Sequence, residues 1–130
     1  MSGDILPELK VFRGPQYPPI FQQIVDQIKA LMAQGKLQEG DRLPTIKKLC
    51  EHLRVNPNTV AKSYMELERM GMLEGRRGGG TTICASRTFS VKERERKLAE
   101  IMARALSEAA EFGLTAAELG AHLNRLRRTA

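Results

Sequence analysis

Apolar side chains begin to recur at helical spacing close to residue 20. Ile20, Ile24 and Ile28 lie four positions apart, and this period predicts a helix over about 19–34. Gly35 is expected to end the helix, because glycine readily adopts the left-handed conformation found just after many helices. The residues before the helix show no comparable period. We therefore interpret them as an N-terminal arm.

Two shorter helices, separated by about three residues, are predicted next. The first begins after Thr45, whose hydroxyl can cap free backbone N–H groups, and ends near Leu53. The second opens at Asn56 and Pro57, since asparagine is a good cap and proline is tolerated at the first helical position. Gly71 stops it. Two short helices joined in this way form a helix-turn-helix, whose second helix lies in the DNA major groove when the motif binds DNA.

A β-hairpin is predicted directly after the third helix. The segments 72–75 and 81–84 have the composition of short strands, and the stretch 76–80 between them is basic and rich in glycine. The glycine run lacks the Lys-Ser/Thr pair and the helix that follow a phosphate-binding loop. We therefore interpret it as the tip of a wing beside the helix-turn-helix.

The last third of the chain predicts two more helices with an apolar side too wide for an isolated surface helix. One begins near Ser90, Gly113 breaks it, and Thr115 caps the other. We expect this tail to pair with a second copy of the chain, although the pattern also allows it to pack on its own winged helix. The predicted dimerisation residues are Val91, Leu98, Ile101, Met102, Ala105 and Leu106.

The pattern as a whole predicts a mostly α-helical fold with a small β-hairpin. We expect an N-terminal arm at 1–17, a winged helix-turn-helix DNA-binding domain at 18–86 and a two-helix C-terminal dimerisation region at 87–130. Pairing through the tail would place two recognition helices on one face of DNA about one helical turn apart, which matches a palindromic operator.

Residue types that read bases lie on the polar side of the predicted recognition helix. Asparagine pairs with adenine, lysine pairs with guanine, and the threonine methyl can touch the thymine methyl. Lysines at the start of the preceding helix and arginines at the wing tip could neutralise phosphates or enter the minor groove. The candidate DNA-binding residues are Lys47, Lys48, Asn56, Asn58, Thr59, Lys62, Ser63, Arg76 and Arg77.

Composition adds modest support for a nucleic-acid partner. The formal charge is +6 and the pI is near 9.7, which favours a polyanionic partner but is also common among proteins without one. No run approaches the roughly 18 apolar residues that span a membrane, and the N-terminus does not resemble a secretory signal. We expect a cytoplasmic protein that does not contact a membrane.

Nothing in the sequence predicts catalysis, a cofactor or a metal site. His52 and His122 are solitary, and no nucleophile is paired with a base. Cys50 and Cys84 lie 34 positions apart with no neighbouring ligand at metal-binding spacing, so we interpret them as buried thiols in a reducing compartment.

Three motifs carry a resemblance to a known family. They are the Gly-Asp-x-Leu-Pro turn at 40–44, the Val-Asn-Pro-Asn-Thr-Val entry to the recognition helix at 55–60, and Glu-Leu-Glu-x-Met-Gly at 66–71 followed by the glycine-rich wing. The stretch 19–83 resembles the DNA-binding domain of the GntR family of bacterial regulators. The short two-helix tail resembles the YtrA-like subfamily, whose members lack the large effector domains of their relatives.

The resemblance implies which residues touch DNA, and it adds Gly78 to the candidates. Many family members have arginine at the positions of Pro57 and Ala61, and this sequence has neither. That departure resembles the YtrA-like pattern, and Lys62 could take over the contact to guanine. The positions that the family implies are Lys47, Asn58, Thr59, Lys62, Arg77 and Gly78.

The function predicted is a sequence-specific regulator of transcription that binds double-stranded DNA as a homodimer and acts as a repressor. The alternative is a winged helix used only for protein contacts, because this fold also serves as an interaction module. The basic wing and the polar recognition helix argue against that alternative. The sequence leaves open whether the protein represses or activates, and whether a small-molecule effector exists.

Overall fold

The computed structural model describes residues 5–76, 80–84 and 89–128. The chain divides into two units, Met1–Ser86 and Arg87–Ala130. The predicted fold class, mostly helical with one small hairpin, is confirmed. The elements within the described ranges are α1 (Ile20–Ala33), α2 (Ile46–Leu53), α3 (Pro57–Arg69), β1 (Leu73–Arg76), β2 (Gly80–Ile83), α4 (Val91–Glu111) and α5 (Ala116–Arg128).

The core of the first unit lies where α1 and α2 pack against α3. The buried stripe of each helix meets the others there, and Ile28, Leu49 and Leu67 are completely shielded from solvent. Full burial of such a side chain stabilises the fold by about 1.5–3 kcal/mol. This packing fixes the position of α3, whose opposite side stays exposed.

Helix ends are set by the residues predicted to cap them. The Thr45 hydroxyl accepts a hydrogen bond from the Lys48 N–H at 3.1 Å, and the Asn56 side chain accepts one from the Asn58 N–H at 2.7 Å. Gly35 follows α1 with a φ of 83°. Each cap satisfies a backbone group that has no partner inside its helix.

The two strands pair antiparallel, with Leu73 opposite Ile83 and Arg76 opposite Gly80. Arg42 forms an isolated bridge with Thr82 on the other edge of β2. The hairpin is therefore held to the segment that precedes α2, and its inner residues, Leu73 and Ile83, join the core.

The N-terminal arm is part of this core, which the absence of a periodic pattern concealed. Ile5 and Leu9 flank a short 3₁₀ helix at Leu6–Glu8, and both are buried with the side chains of α1 and α2. The sequence predicted an arm at 1–17 without indicating that any of its residues reach the core, and the structure places Ile5 and Leu9 there. Two anchoring side chains in an irregular segment leave no period to detect.

Two glutamines of α1 fasten the extended part of the arm. The Gln23 amide accepts from the Phe12 N–H at 2.8 Å and donates to the Phe12 carbonyl at 2.8 Å. Gln27 does the same one turn later, with the Lys10 N–H at 3.0 Å and its carbonyl at 2.6 Å. Each amide thus replaces the two backbone hydrogen bonds that a neighbouring strand would supply, and the arm is held in one register.

The second unit contains α4 and α5. Ser90 and Glu93 form a reciprocal capping box at the start of α4, and the Thr115 hydroxyl accepts from the Glu118 N–H at the start of α5. Among the described residues of these two helices, only Ala109 is buried. No helix in the described part of the chain is long and apolar enough to cross a membrane.

Candidate nucleic-acid interface

The helix-turn-helix is built from α2, a short turn and α3. The Tyr64 hydroxyl on α3 donates to the Pro44 carbonyl at 2.7 Å, which ties the middle of α3 to the segment leading into α2. Burial raises the pKa of the Tyr64 phenol well above its usual value, so the group stays protonated and remains a donor. The angle between the two helices is therefore fixed by a hydrogen bond as well as by apolar packing.

The outer side of α3 carries the side chains expected to read bases. Asn58 and Lys62 are exposed and Thr59 is half-buried, and the three lie within one arc of the helix by their spacing. Val60 and Leu67 occupy the opposite arc, in the core. The Asn56 side-chain oxygen is engaged in the N-cap and fixes the first turn of α3, and the expected contact of its N–H groups with a phosphate stays a prediction.

Lys62 does not extend freely into solvent. Its ammonium nitrogen lies 3.9 Å from the centroid of the Phe21 ring, at the start of α1. A cation held over an aromatic face gains roughly 0.5–1 kcal/mol at an exposed site. Phe21 therefore restricts the lysine on the outer side of α3, a role that the sequence alone did not suggest because Phe21 fits the apolar stripe of α1.

Ser63 was predicted to lie on the polar side of α3, and that placement is wrong. It is fully buried, and its hydroxyl oxygen lies 3.0 Å from the carbonyl oxygens of both Phe21 and Thr59. Ser63 is three residues after Val60 and four before Leu67, so helical geometry places it on the inner face. A small side chain there lets α1 approach α3 closely, and its polarity suggested the wrong side.

Lysines flank this surface at the start of α2. Lys47 and Lys48 are both exposed in the first helical turn, next to the Thr45 cap. Arg76 ends β1, in the wing, but its side chain lies outside the described part of the structure. Arg77 and Gly78, also predicted to contact DNA, lie outside the described residues as well.

Met65 belongs to the exposed arc of α3, although it was not among the predicted DNA-binding residues. It is 67% exposed and lies three residues after Lys62. The helical spacing of Asn58, Lys62 and Met65 would have placed Met65 on this arc.

Next to Met65, Glu66 forms an ion pair with Arg69, and the hydrogen bond from Arg69 lowers the pKa of the Glu66 carboxyl. The carboxylate on this side of α3 is thus compensated by a cation from its own helix.

The thiols were expected to be buried, but the structure places both only partly in the interior. Cys50 and Cys84 are free and half-buried, and the Cys50 sulfur lies 3.2 Å from the Lys47 carbonyl. Cys50 lies at the edge of the buried stripe of α2, and Cys84 lies just past the end of β2, which explains their partial exposure.

The residues predicted to form a dimer interface lie on α4, and their apolar surface is largely exposed. Val91, Leu98, Ile101 and Leu106 are exposed, whereas Met102 and Ala105 are half-buried. The exposed apolar face continues beyond this set, since Phe112 at the end of α4 is also exposed.

A helix-turn-helix followed by a hairpin defines the winged-helix fold, and an exposed polar second helix of the motif is the element that DNA-binding members of this class place in the major groove. Residues 20–83 match the family described as bacterial regulatory proteins, gntR family. The regulator YhcF of Bacillus subtilis, described as uncharacterized, is 35% identical over 101 residues, which cover 78% of this chain and 84% of YhcF. The transcriptional repressor YtrA of the same organism is 48% identical over 65 residues, half of each chain.

Solved structures agree with these relatives. A transcriptional regulator from Oenococcus oeni aligns with a TM-score of 0.59 and 27% identity, covering 88% of this chain and 96% of that one. The DNA-binding domain of AraR, solved in complex with operator ORX1, aligns with a TM-score of 0.55 and 28% identity, covering 58% of this chain and 95% of that one.

The chain belongs to the GntR family and is a DNA-binding regulator of transcription. The resemblance found in the sequence motifs, including that to YtrA-like members, is confirmed.

Proposed function

We propose that two copies of the chain bind an inverted-repeat operator, with α3 of each copy in the major groove, and that binding represses transcription. The observation that carries this proposal is the outer side of α3, where Asn58, Thr59 and Lys62 are presented together while the inner side is locked in the core. A chromosomal operator places this activity in the cytoplasm. The protein needs no cofactor and carries out no catalysis in this role.

The contacts to DNA divide into two kinds. Asn58 and Lys62 read base edges, asparagine by a bidentate pair with adenine and lysine by a bond to guanine, and Thr59 packs against a thymine methyl. Lys47 and Lys48 bind phosphates on one side of the groove, and the wing arginines do so on the other. Asn56 holds the first turn of α3, whose free N–H groups point towards a phosphate.

The homodimer forms through α4. Exposed Val91, Leu98 and Ile101 would leave an apolar stripe in water in a single chain, and such stripes favour burial against a partner. A second copy supplies a matching stripe by twofold symmetry, because each chain presents the same residues to the other. The twofold relation then requires an operator whose half-sites are inverted copies.

Repression, rather than activation, is supported by the relative YtrA, which is described as a repressor and aligns over half of its length. In this scheme the dimer covers a promoter element and excludes the polymerase. A small-molecule effector is not part of the proposal.

The test is selection of a random duplex library by the purified full-length protein, followed by a transcription assay on the selected sequence. An enriched inverted repeat whose addition makes a promoter repressible supports the proposal. Salt-sensitive binding without an enriched motif would contradict sequence-specific regulation. A motif that activates the promoter would overturn repression alone.

Base reading is tested with Lys62→Ala, which is expected to weaken operator binding by roughly 1–3 kcal/mol and to relax preference at one base pair. Lys47→Ala should weaken specific and random DNA about equally, because a phosphate contact carries no sequence information. Lys92→Ala, which removes an exposed lysine from the start of α4, is the matched control and should leave both affinities unchanged. Equal losses on specific and random DNA for Lys62→Ala would refute the assignment.

A further inference from the structure

We propose that Arg13 of the N-terminal arm and Arg54 of the helix-turn-helix turn form a pair that binds a DNA phosphate, so that the arm is part of the DNA interface. The proposal rests on the proposed function, in which α3 faces DNA. It extends the contact surface to a segment that lies outside the family's matching residues, which begin at residue 20.

The first observation is the backbone of Arg54. It has a φ of 56° and a ψ of 50°, and it is the only non-glycine residue with a positive φ in the described part of the chain. The turn requires this conformation, because the N–H groups of Arg54 and Val55 both bond to the Cys50 carbonyl. Glycine adopts the left-handed conformation without strain, whereas a long side chain makes it less favourable. An arginine at this position therefore lowers the stability of the fold. Its presence there points to a separate use for the side chain.

The second observation is that the arm delivers another arginine to the same turn. The paired hydrogen bonds of Gln23 to the Phe12 backbone fix the residue just before Arg13. Arg13 then donates from one guanidinium nitrogen to the Arg54 carbonyl at 2.8 Å, across 41 positions of sequence. This bond engages one of the five N–H donors of the Arg13 guanidinium and leaves the others for a ligand.

No ion pair within the described ranges balances the charges of Arg13 and Arg54 at this turn. Both arginines are exposed, and neither forms an ion pair with a carboxylate among the described residues. Two guanidinium groups that belong to one turn concentrate positive charge there, and a shared anion would offset that charge. Arginine presents a fork of donors that matches two phosphate oxygens, so a phosphodiester is the ligand that fits the pair.

The position of the turn selects the DNA backbone as the source of that phosphate. Arg54 lies two residues before Asn56, the cap of α3, and the first turn of a recognition helix is the part that approaches the DNA. An Arg54 side chain that extends from the turn towards the DNA would meet the phosphate backbone that borders the major groove. Arg13 binds beside it, and the two together fix how deeply α3 enters.

The test uses the full-length protein and a duplex of random sequence, because a phosphate contact does not need the operator. Arg54→Gly removes the charge and also the backbone strain, so the melting temperature should stay unchanged or rise while affinity falls about tenfold. The magnitude of the slope of log K against log salt should fall by about 0.9 for each phosphate that a chain no longer neutralises. Arg54→Lys keeps the charge and should retain most of the affinity and the slope. A purely structural role for Arg54 predicts instead that Arg54→Gly binds DNA as well as the parent protein.

Arg13→Gln is the second variant. It should lower the DNA affinity and the magnitude of the salt slope in the same way as Arg54→Gly. In the double variant the fold-decrease in affinity should be smaller than the product of the two single fold-decreases, because both arginines bind one phosphate. Arg104→Gln, which removes one exposed arginine from α4, is the control for charge alone and should leave the slope unchanged.

The outcomes separate the proposals. If Arg54→Gly and Arg13→Gln bind as the parent does, while the parent shows salt-dependent binding, the arginine pair is wrong and DNA binding stands. If the parent itself shows no salt-dependent binding to duplex DNA, both this inference and the proposed function fail.

Discussion

Replacing Leu98 and Ile101 together by glutamate should convert the protein to monomers. The two side chains are 59% and 49% exposed in the single chain, so about half of each remains to be buried by a partner. Full burial of such a residue contributes about 1.5–3 kcal/mol, and a symmetric dimer buries four of them. The apolar contribution that the variant forfeits is therefore about 3–6 kcal/mol per dimer, which corresponds to a roughly 10²–10⁴-fold weaker dimerisation constant. Carboxylates placed close together across the twofold axis weaken it further.

Sedimentation velocity of the full-length variant measures this change directly, over a concentration series that brackets the dissociation constant of the parent dimer. Glutamate is a good helix former, so the far-ultraviolet circular dichroism at high concentration serves as a check that α4 persists. Ala103→Glu is the matched control, because it adds a carboxylate to the same helix on the side away from Leu98 and Ile101 by helical spacing. A double variant that sediments as the parent dimer would refute the assignment of α4 as the interface. A monomer that still binds a two-half-site operator as tightly as the parent would refute the link between dimerisation and operator symmetry.

Three further predictions concern the first unit. Ser63→Ala should lower the free energy of unfolding by about 1 kcal/mol, as judged by urea denaturation. It should leave the DNA affinity of the folded protein unchanged, because the Ser63 side chain is fully buried and its hydroxyl bonds to the backbone carbonyls of Phe21 and Thr59. Asn58→Ala should instead weaken DNA binding and leave the free energy of unfolding unchanged. If Ser63→Ala weakened DNA binding without a change in stability, the inner-face placement of Ser63 would be contradicted. The Tyr64 phenol has a raised pKa in the folded state, so stability from this group is complete below about pH 10 and is lost at higher pH, by up to about 1.4 kcal/mol per pH unit. Tyr64→Phe should therefore be less stable than the parent at about pH 8, and the difference in free energy of unfolding between the two should shrink above about pH 10. If that difference stayed constant, ionisation of Tyr64 would not account for a loss of stability at high pH. Phe21→Leu should weaken operator binding severalfold through Lys62 while retaining Lys62-dependent preference at one base pair, and unchanged affinity would show that the ring does not position the lysine.

The elements of this fold could be predicted because local signals agree with the packing. Thr45 and Asn56 cap the helices that they were expected to cap, and Gly35 takes the positive φ that ends α1. These choices depend on a few neighbouring residues. Periodicity then assigns the inner side of each helix whenever its residues are large and apolar.

The errors arise where a contact links residues far apart in sequence. Ser63 is buried because α1 lies against it, and no pattern inside α3 reports that a polar side chain will find two carbonyls there. The arm is anchored by glutamines of α1 that pair with its backbone, and a backbone partner has no sequence signature. Lys62 was selected correctly as exposed, but its restriction by Phe21 depends on the packing of α1 against α3.

The two units make different demands on the sequence, and this explains why their tolerance to substitution should differ. The first unit closes its own core, so the exposed arc of α3 can change to suit another operator without loss of the fold. Among the described residues of α4 and α5 only Ala109 is buried, so their stability in the proposed dimer comes from the second copy. Folding of the tail and association are then one equilibrium, because most of the stability of a helix in a protein comes from the packing of its apolar face, and in the proposed dimer the second copy supplies that packing. In the proposed scheme operator binding adds its free energy to the same equilibrium, since a dimer is required to occupy both half-sites. The occupancy of the operator should therefore depend on protein concentration more steeply than for a monomeric winged helix, without any effector.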